Sequence, residues 1–279
     1  MKRPPYKQAF ITGGSSGIGY AIAGYLVQRG TAVTIASRDR DKLLGAQQKL
    51  KEKAADGKSV EILQLDISDR PAVEGKLREL VSAGNTPDLL VNCAGMAYPD
   101  YFESFDSAVF DRTLSVNLTG TWNVLRTIVP HMQAGSQVVN VASVSGLVGT
   151  FGYTAYSASK FGIIGLSEVL RNELSLRGIR VSVLCPPDTD TPQLEQENLT
   201  KPYETRVISG NAGILKPEQV AEALFSGLRR KRFLIIPGFM AKLTCVLKRL
   251  FPGLVYFIID SDAKKAYRRK NDERNRTEC

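Results

Sequence analysis

Two side chains four residues apart, Tyr156 and Lys160, are the first in this chain whose types and spacing can do chemistry. On a helix that spacing stacks both on one face. A phenol titrates near ~10 and is a poor acid or base at neutral pH. An ammonium one turn away favours the phenolate, and each unit of lowering is worth about 1.4 kcal/mol. A phenol tuned in this way gives a proton to a ketone oxygen or takes one from an alcohol. Ser143 precedes Tyr156 by thirteen residues, at the end of a strand-like run over 137–142, and is placed to hydrogen-bond the same oxygen. Tyr-x-x-x-Lys alone occurs by chance on many helices, so its weight depends on the elements around it.

Those elements alternate between strand and helix. A short strand over 8–11 runs into Thr12-Gly13-Gly14-Ser15-Ser16-Gly17-Ile18-Gly19 and then into an apolar helix ending at 29. Strand, glycine-rich turn and helix start together make a phosphate cradle, because the glycines let a pyrophosphate approach the backbone N–H groups. Thr12, Gly13, Ser15, Ser16, Gly17, Ile18 and Gly19 are therefore expected to hold a dinucleotide. The second strand, over 32–36, ends at Ser37-Arg38, with Asp39 just beyond. An acid at this place holds the ribose hydroxyls of NAD, whereas an arginine pairs with the 2′-phosphate that an acid repels. Ser37 and Arg38 thus point to NADP(H), with Asp39 the residue that would serve NAD.

The third strand, over 60–65, ends at Asp66, placed to meet the adenine. A helix over 71–83 leads to a fourth strand over 89–91 and to Asn92-Cys93-Ala94-Gly95. Small residues there let a cofactor lie across the strand ends, so Asn92, Ala94 and Gly95 are expected to line it. One helical stretch over 107–132 carries Asn117 inside an apolar run. A core asparagine needs partners, and this one either kinks the helix or holds a water leading to Lys160. The Tyr156 helix runs to about 177, and a sixth strand follows over 180–185. Residues 186–215 are rich in proline and polar side chains without a clear period, the mark of an active-site lid. A helix over 217–229 and a strand over 233–236 complete the pattern. The expected fold is α/β: one Rossmann-like, doubly wound parallel sheet flanked by helices. It forms a single domain over 1–237, followed by an apolar, basic C-terminal extension over 238–279.

Composition sets the outer limits. A length of 279 residues with 43% hydrophobic content supplies ample core. Cys93, Cys185, Cys245 and Cys279 are scattered without metal-ligand spacing, which points to a reducing compartment and no metal site. The lone histidine, His131, is expected at the surface. Residues 1–7 are short, polar and proline-rich, unlike a signal peptide. Residues 229–279 hold 14 Lys and Arg against 5 Asp and Glu, which is the whole of the +9 excess. The charge belongs to the extension, and the catalytic body needs no acidic partner to explain it.

Taken together, these residues resemble the short-chain dehydrogenases/reductases over roughly residues 8–237. Thr12, Gly13, Gly17, Gly19, Asp66, the Asn92–Gly95 stretch, Asn117, Ser143, Tyr156 and Lys160 stand in the family's order. The resemblance implies hydride transfer from a nicotinamide with Tyr156 as acid/base. It implies that Lys160 binds the nicotinamide ribose and lowers the tyrosine pKa, that Ser143 orients the carbonyl, and that Asn117 supports a proton-relay water. It also places Pro186 and Thr189, after the sixth strand, against the cofactor. A narrower resemblance is to the 3-ketodihydrosphingosine reductases. It rests on Cys93-Ala94-Gly95-Met96-Ala97, on 151–161, and above all on Pro186-Pro187-Asp188-Thr189-Asp190-Thr191-Pro192 and the lid residues after it. Eukaryotic members open with a hydrophobic anchor that is not seen here. The implied reaction is NADPH-dependent reduction of the 3-keto group of a long-chain 2-amino ketone. Asp188, Asp190, Glu195 and Glu197 are then candidates to meet the substrate ammonium. Another lipid, steroid or acyl ketone is the alternative substrate, and a non-catalytic cofactor-binding protein is the alternative from a different class. A homodimer or homotetramer is the family expectation.

The extension is apolar from 238 to 259 but is interrupted by Lys242, Lys248, Arg249 and Pro252. Its longest uncharged run, over 250–259, is too short to span a bilayer. Three buried cations would cost roughly 7 to 10 kcal/mol. An interfacial helix or hairpin fits better, with apolar side chains in the lipid boundary and cations on anionic headgroups. The expected location is therefore cytoplasmic and peripheral to a membrane. Apolar residues interleaved with the basic ones favour lipid over nucleic acid.

Overall fold

The computed structural model describes residues 6–55, 59–209 and 213–277, with the side chains of 209 and 273–277 outside the description. Residues 1–5 of the polar opening, 210–212 of the expected lid and Cys279 therefore lie outside the described residues.

Among the described residues one seven-stranded parallel sheet forms, in the order β3-β2-β1-β4-β5-β6-β7. The strands are β1 (Gln8–Thr12), β2 (Ala32–Ser37), β3 (Val60–Gln64), β4 (Leu89–Asn92), β5 (Gln137–Val141), β6 (Arg180–Leu184) and β7 (Leu234–Ile235). The order reverses between β1 and β4, the place where ligands bind in such sheets. Strand alternation divides the core. Ile11, Leu89 and Val139 face one layer with α1 (Gly17–Val27), α2 (Arg40–Lys53) and α9 (Pro217–Arg229). Phe10, Leu90 and Val138 face the other, with α3 (Arg70–Ser82), α5 (Thr121–Ile128) and α6 (Thr154–Ser175). Burial on both faces is why β4 reads as the apolar run Leu89–Val91, and β5 is buried throughout as well, with Gln137 and Asn140 among its valines.

Helix starts follow their caps. Asp39 accepts from the Lys42 N–H at 3.0 Å, and Asp69 from the Ala72 N–H at 3.0 Å ahead of Pro71. The α2 helix shows no clear period in the sequence. Only Leu43, Ala46 and Leu50 of its fourteen residues are buried, so its apolar stripe is thin among charges.

Two expectations are corrected. The stretch over 107–132 is not one α-helix. It is α4 (Ser107–Leu114), a π-helical turn (Ser115–Gly120), α5 and a short 3₁₀ turn. The wide turn sits at Asn117, and π-turns of this kind mark insertions into a helix. The stretch over 186–215 is not structureless either. It carries α7 (Pro192–Thr200), capped by Thr191 on the Leu194 N–H at 3.3 Å, and α8 (Tyr203–Ser209). Both are too short to show a period.

The C-terminal extension is helical: α10 (Phe239–Leu250), then α11 (Pro252–Thr277). The α11 helix lies along α8. Its Lys270 donates to the Tyr101 hydroxyl at 2.8 Å and stands 3.9 Å from Glu204, which is buried and also accepts from Tyr101 at 2.6 Å. Part of the extension thus packs on the body, and no helix among the described residues is long and apolar enough to cross a membrane.

Candidate active site

Because every strand runs the same way, the carboxyl ends of β1, β2, β4, β5 and β6 share one edge, and the residues singled out in the sequence gather there. At β1 the turn is built by close approach. A Cβ on Gly19 would stand 2.3 Å from the Gly13 carbonyl oxygen, and one on Gly13, at φ +69°, would stand 2.8 Å from Ala94. No side chain fits either place, so the β1 turn, α1 and the β4 loop can touch. Thr12 staples them: its hydroxyl oxygen accepts from the N–H groups of Cys93 and Ala94, both at 3.1 Å. Ser16 begins α1 without bonding any of its N–H groups through its side chain, and no acid stands in the first turn. Open donors at a helix start suit an anion. Ser15, Ser16 and Ile18 keep part of their surface in solvent around it.

At β2 the two side chains that bear on cofactor choice have different duties. Asp39 is spent on capping α2, and the Lys42 N–H holds its carboxyl below the ordinary value. The Arg38 guanidinium is exposed and makes no hydrogen bond or ion pair among the described residues. Ser37 Oγ donates to the Asp39 carbonyl at 3.3 Å. Asp66, after β3, accepts from Ser68 N–H and Oγ at 2.9 and 2.6 Å through one oxygen.

Asn92 is buried at the end of β4. Its amide donates to Asn140 at 2.9 Å, and Asn140 donates to Ser167 at 2.9 Å, a buried chain joining β4, β5 and α6. The Asn92 side-chain oxygen is buried without a hydrogen-bond partner among the described residues. Thr189 is also buried, its hydroxyl committed to the Pro187 carbonyl at 2.8 Å. The Pro186 carbonyl accepts from the Val144 N–H at 3.1 Å.

The remaining residues meet on α6. Lys160 Nζ is buried, donates to the Val141 carbonyl at 2.9 Å and lies 5.4 Å from the Tyr156 ring centroid. Burial lowers its pKa to about 8. The turn carrying Ser143 packs directly on this helix, since a Cβ on Gly146 would stand 2.8 Å from the Lys160 backbone. Ser143 Oγ accepts from the Ser145 N–H at 3.1 Å and donates to the Pro186 carbonyl at 3.5 Å, and its hydroxyl stands near enough to the Tyr156 phenol to favour the phenolate. Asn117 is held at both ends of its amide. Its oxygen accepts from the Met96 N–H at 2.8 Å, and its nitrogen donates to the Met96 carbonyl and to Ser159 Oγ, each at 2.9 Å. Gly95 keeps this corner open, because a Cβ there would lie 3.2 Å from Asn117 Oδ1 and 3.5 Å from Lys160 Nζ.

One electrostatic expectation is reversed. Tyr156 is not lowered by its lysine here. Burial pushes the phenol above its ordinary value, Glu197 pushes it further, and the nearby Ser143 hydroxyl opposes them. Lys160 donates instead to the Val141 carbonyl. Of the four lid acids, Asp190 and Glu195 are exposed, Asp188 pairs with buried Lys201 at 3.5 Å, and only Glu197 is buried. Tyr153 was not singled out in the sequence. It stacks obliquely on Tyr156 with centroids 5.7 Å apart and donates to Glu197 at 2.6 Å. It stands at the N-terminal boundary of α6, three residues before Tyr156, and that proximity in sequence was the available signal. The shallow clefts beside Gln8 and Lys76, and beside Gln137 and Arg171, lie at the opposite end of the strands.

A doubly wound parallel sheet with a glycine cradle at its switch point and a serine, tyrosine and lysine at one edge is the architecture of a nicotinamide oxidoreductase. The short chain dehydrogenase family model matches residues 7–202, and the chain belongs to that family. Within it, the chain is similar to the 3-ketodihydrosphingosine reductase of Bos taurus, 40% identical over 224 residues, covering 79% of this chain and 68% of the relative. The 3-ketodihydrosphingosine reductase of Dictyostelium discoideum is 36% identical over 268 residues, covering 90% and 79%. Among solved structures, a short chain dehydrogenase/reductase from Burkholderia phymatum in complex with NAD superposes with a TM-score of 0.78 at 24% identity, covering 91% of this chain and 96% of the other.

Proposed function

We propose that this protein reduces the 3-keto group of 3-ketodihydrosphingosine, using NADPH, in sphingolipid synthesis. The observation that carries the reading is the identity to the two named reductases over most of the chain, which extends through the lid. The glycine cradle, the open start of α1 and the clearance at Gly95 fit a dinucleotide lying from β1 across β4 to Lys160. Thr12, Gly13, Ser15, Ser16, Gly17, Ile18 and Gly19 would hold its pyrophosphate, and Ala94, Gly95, Pro186 and Thr189 would flank its nicotinamide half. Free Arg38 beside a committed Asp39 supports the phosphorylated form. Once bound, the nicotinamide supplies a hydride to the carbonyl carbon.

The chain's own residues do the rest. Tyr156 gives its hydroxyl proton to the carbonyl oxygen, so that ketone, hydride and proton balance as an alcohol. A raised phenol pKa keeps that proton in place until the oxygen gains charge. Ser143 holds the substrate oxygen by hydrogen bond while charge develops on it. Lys160 holds the nicotinamide ribose and offers its ammonium to the tyrosinate that remains. Asn117 braces the β4 loop against α6 and, under this reading, supports a relay water leading to Lys160. Residues 1–237 act as one catalytic domain under this reading, with the lid over 186–215 admitting the lipid. The α10–α11 hairpin contacts the membrane peripherally. Phe239, Met240, Leu250, Phe251, Leu254 and Phe257 are all more than half exposed there, beside exposed Lys242, Arg249, Arg268 and Arg269. A homodimer or homotetramer is the expected assembly.

The test is NADPH consumption with 3-ketodihydrosphingosine in detergent micelles, beside Tyr156→Phe. Turnover should be lost in the variant. Activity confined to a steroid or simple ketone would keep the reductase and sink the sphingoid substrate.

A further inference from the structure

Glu197 is a buried carboxylate, 7% exposed, for which no cation within ion-pair distance exists among the described residues. One oxygen accepts from the Tyr153 hydroxyl at 2.6 Å and the other from Gln193 Nε2 at 2.8 Å. Both donors are neutral, and an ionised carboxylate has about four acceptor sites, so it can take more. A carboxylate held out of water without a counter-charge is costly, and a cationic ligand seated beside it would remove that cost. The nearby lysine does not supply it. Lys201 Nζ is 5.9 Å from the Tyr153 ring centroid and is paired with Asp188.

The position of Glu197 matters as much as its burial. Through Tyr153 it is one side chain from Tyr156, and its charge reaches both the Tyr156 phenol and Lys160. A 2-amino-3-ketone carries its nitrogen on the carbon next to the carbonyl. When the ketone oxygen meets Tyr156, the ammonium must lie within one residue's reach of that hydroxyl.

We infer that Glu197, oriented by Tyr153 and Gln193, is the subsite that binds the substrate's ammonium. This rests on the sphingoid reading proposed above. Docking then does two things. It selects amino ketones over plain ketones, and it neutralises the carboxylate whose field opposes the tyrosinate left after proton transfer. The site works fully only with its proper substrate seated.

The competing explanation is that Glu197 merely ties α7 to α6 through Tyr153. Glu197→Gln separates the two, since an amide oxygen still accepts from the Tyr153 hydroxyl while the charge is gone. The probes are 3-ketodihydrosphingosine and the 3-ketone of equal chain length without the amine, both in the same detergent. Glu197→Gln should raise KM for the amino ketone about thirtyfold or more, the loss expected when one partner of a buried charge pair is removed. KM for the plain ketone should change less than about threefold. Tyr153→Phe cuts the tie and keeps the charge, so preference for the amino ketone should persist. The wild type provides a measurement that needs no variant to fold: its KM should be lower for the amino ketone by a similar factor. Equal loss on both ketones in Glu197→Gln, or equal wild-type KM values, would overturn the subsite alone. A wild type inactive on the amino ketone would overturn both the subsite and the sphingoid reading.

Discussion

Replacing Arg38 by Ala should convert cofactor preference without touching the fold. The guanidinium is exposed and bonds to nothing among the described residues; only the Arg38 carbonyl is used, by Gln64 Nε2 at 3.1 Å. Its removal therefore leaves the melting temperature unchanged. A charge-assisted pair with a 2′-phosphate contributes about 1.5–3 kcal/mol. Exposure to solvent and salt puts this one at the lower end, so kcat/KM for NADPH should fall about 10- to 30-fold. NADH has no 2′-phosphate to lose, and its kcat/KM should move less than about threefold. The neighbouring Asp39→Ala behaves in the opposite way. It removes the Lys42 N–H acceptor that starts α2, so the melting temperature should drop by about 2–4 °C with no selective effect on NADH. The assay is initial-rate kinetics with both cofactors on three proteins, beside thermal melts. An unchanged NADPH constant in Arg38→Ala, together with selective loss of NADH use in Asp39→Ala, would refute the assignment of roles at the end of β2.

Two further outcomes follow from the structure. Lys160 titrates near 10.5 when unfolded and at about 8 when buried. Below pH 8 both states carry the charge, and the folded state bears the desolvation cost in full. Between about 8 and 10.5 the unfolded chain binds the extra proton, so stability rises with pH. Lys160→Met should then be more stable than wild type at pH 7 by up to about 3 kcal/mol, and the difference should shrink as pH approaches 10. Urea titrations at several pH values measure it, and a difference independent of pH would contradict the burial argument. The α10–α11 hairpin should carry the chain down with anionic lipid vesicles. Phe251→Ser with Phe257→Ser should cut the bound fraction at least tenfold, since each buried phenylalanine contributes about 1.5–3 kcal/mol. A wild type that stays in the supernatant while these substitutions change its oligomeric state would assign the face to a second copy of the chain.

The order of strands and helices was legible because the buried strands of a parallel sheet write themselves as largely apolar stretches separated by turn residues, with the edge strand β3 mixing in Glu61 and Gln64. The glycine turn and Tyr156–Lys160 were legible because local spacing fixes local geometry. The α2, α7 and α8 helices were not read, since a short or highly charged helix has too thin a buried stripe to show a period. The π-turn at Asn117 depends on bonds to Met96, twenty-one residues away, which no local pattern carries. Side-chain duty was equally hidden. Asn92 belongs to a buried amide chain, Asp39 to a helix start, and Glu197 alone among four lid acids is buried beside Tyr156. The sequence determined which chemistry stands at the edge of the sheet, because residue type and short spacing suffice for that. The tertiary structure decided which charges are spent and which are free, because burial and pairing are set by residues far apart in the chain.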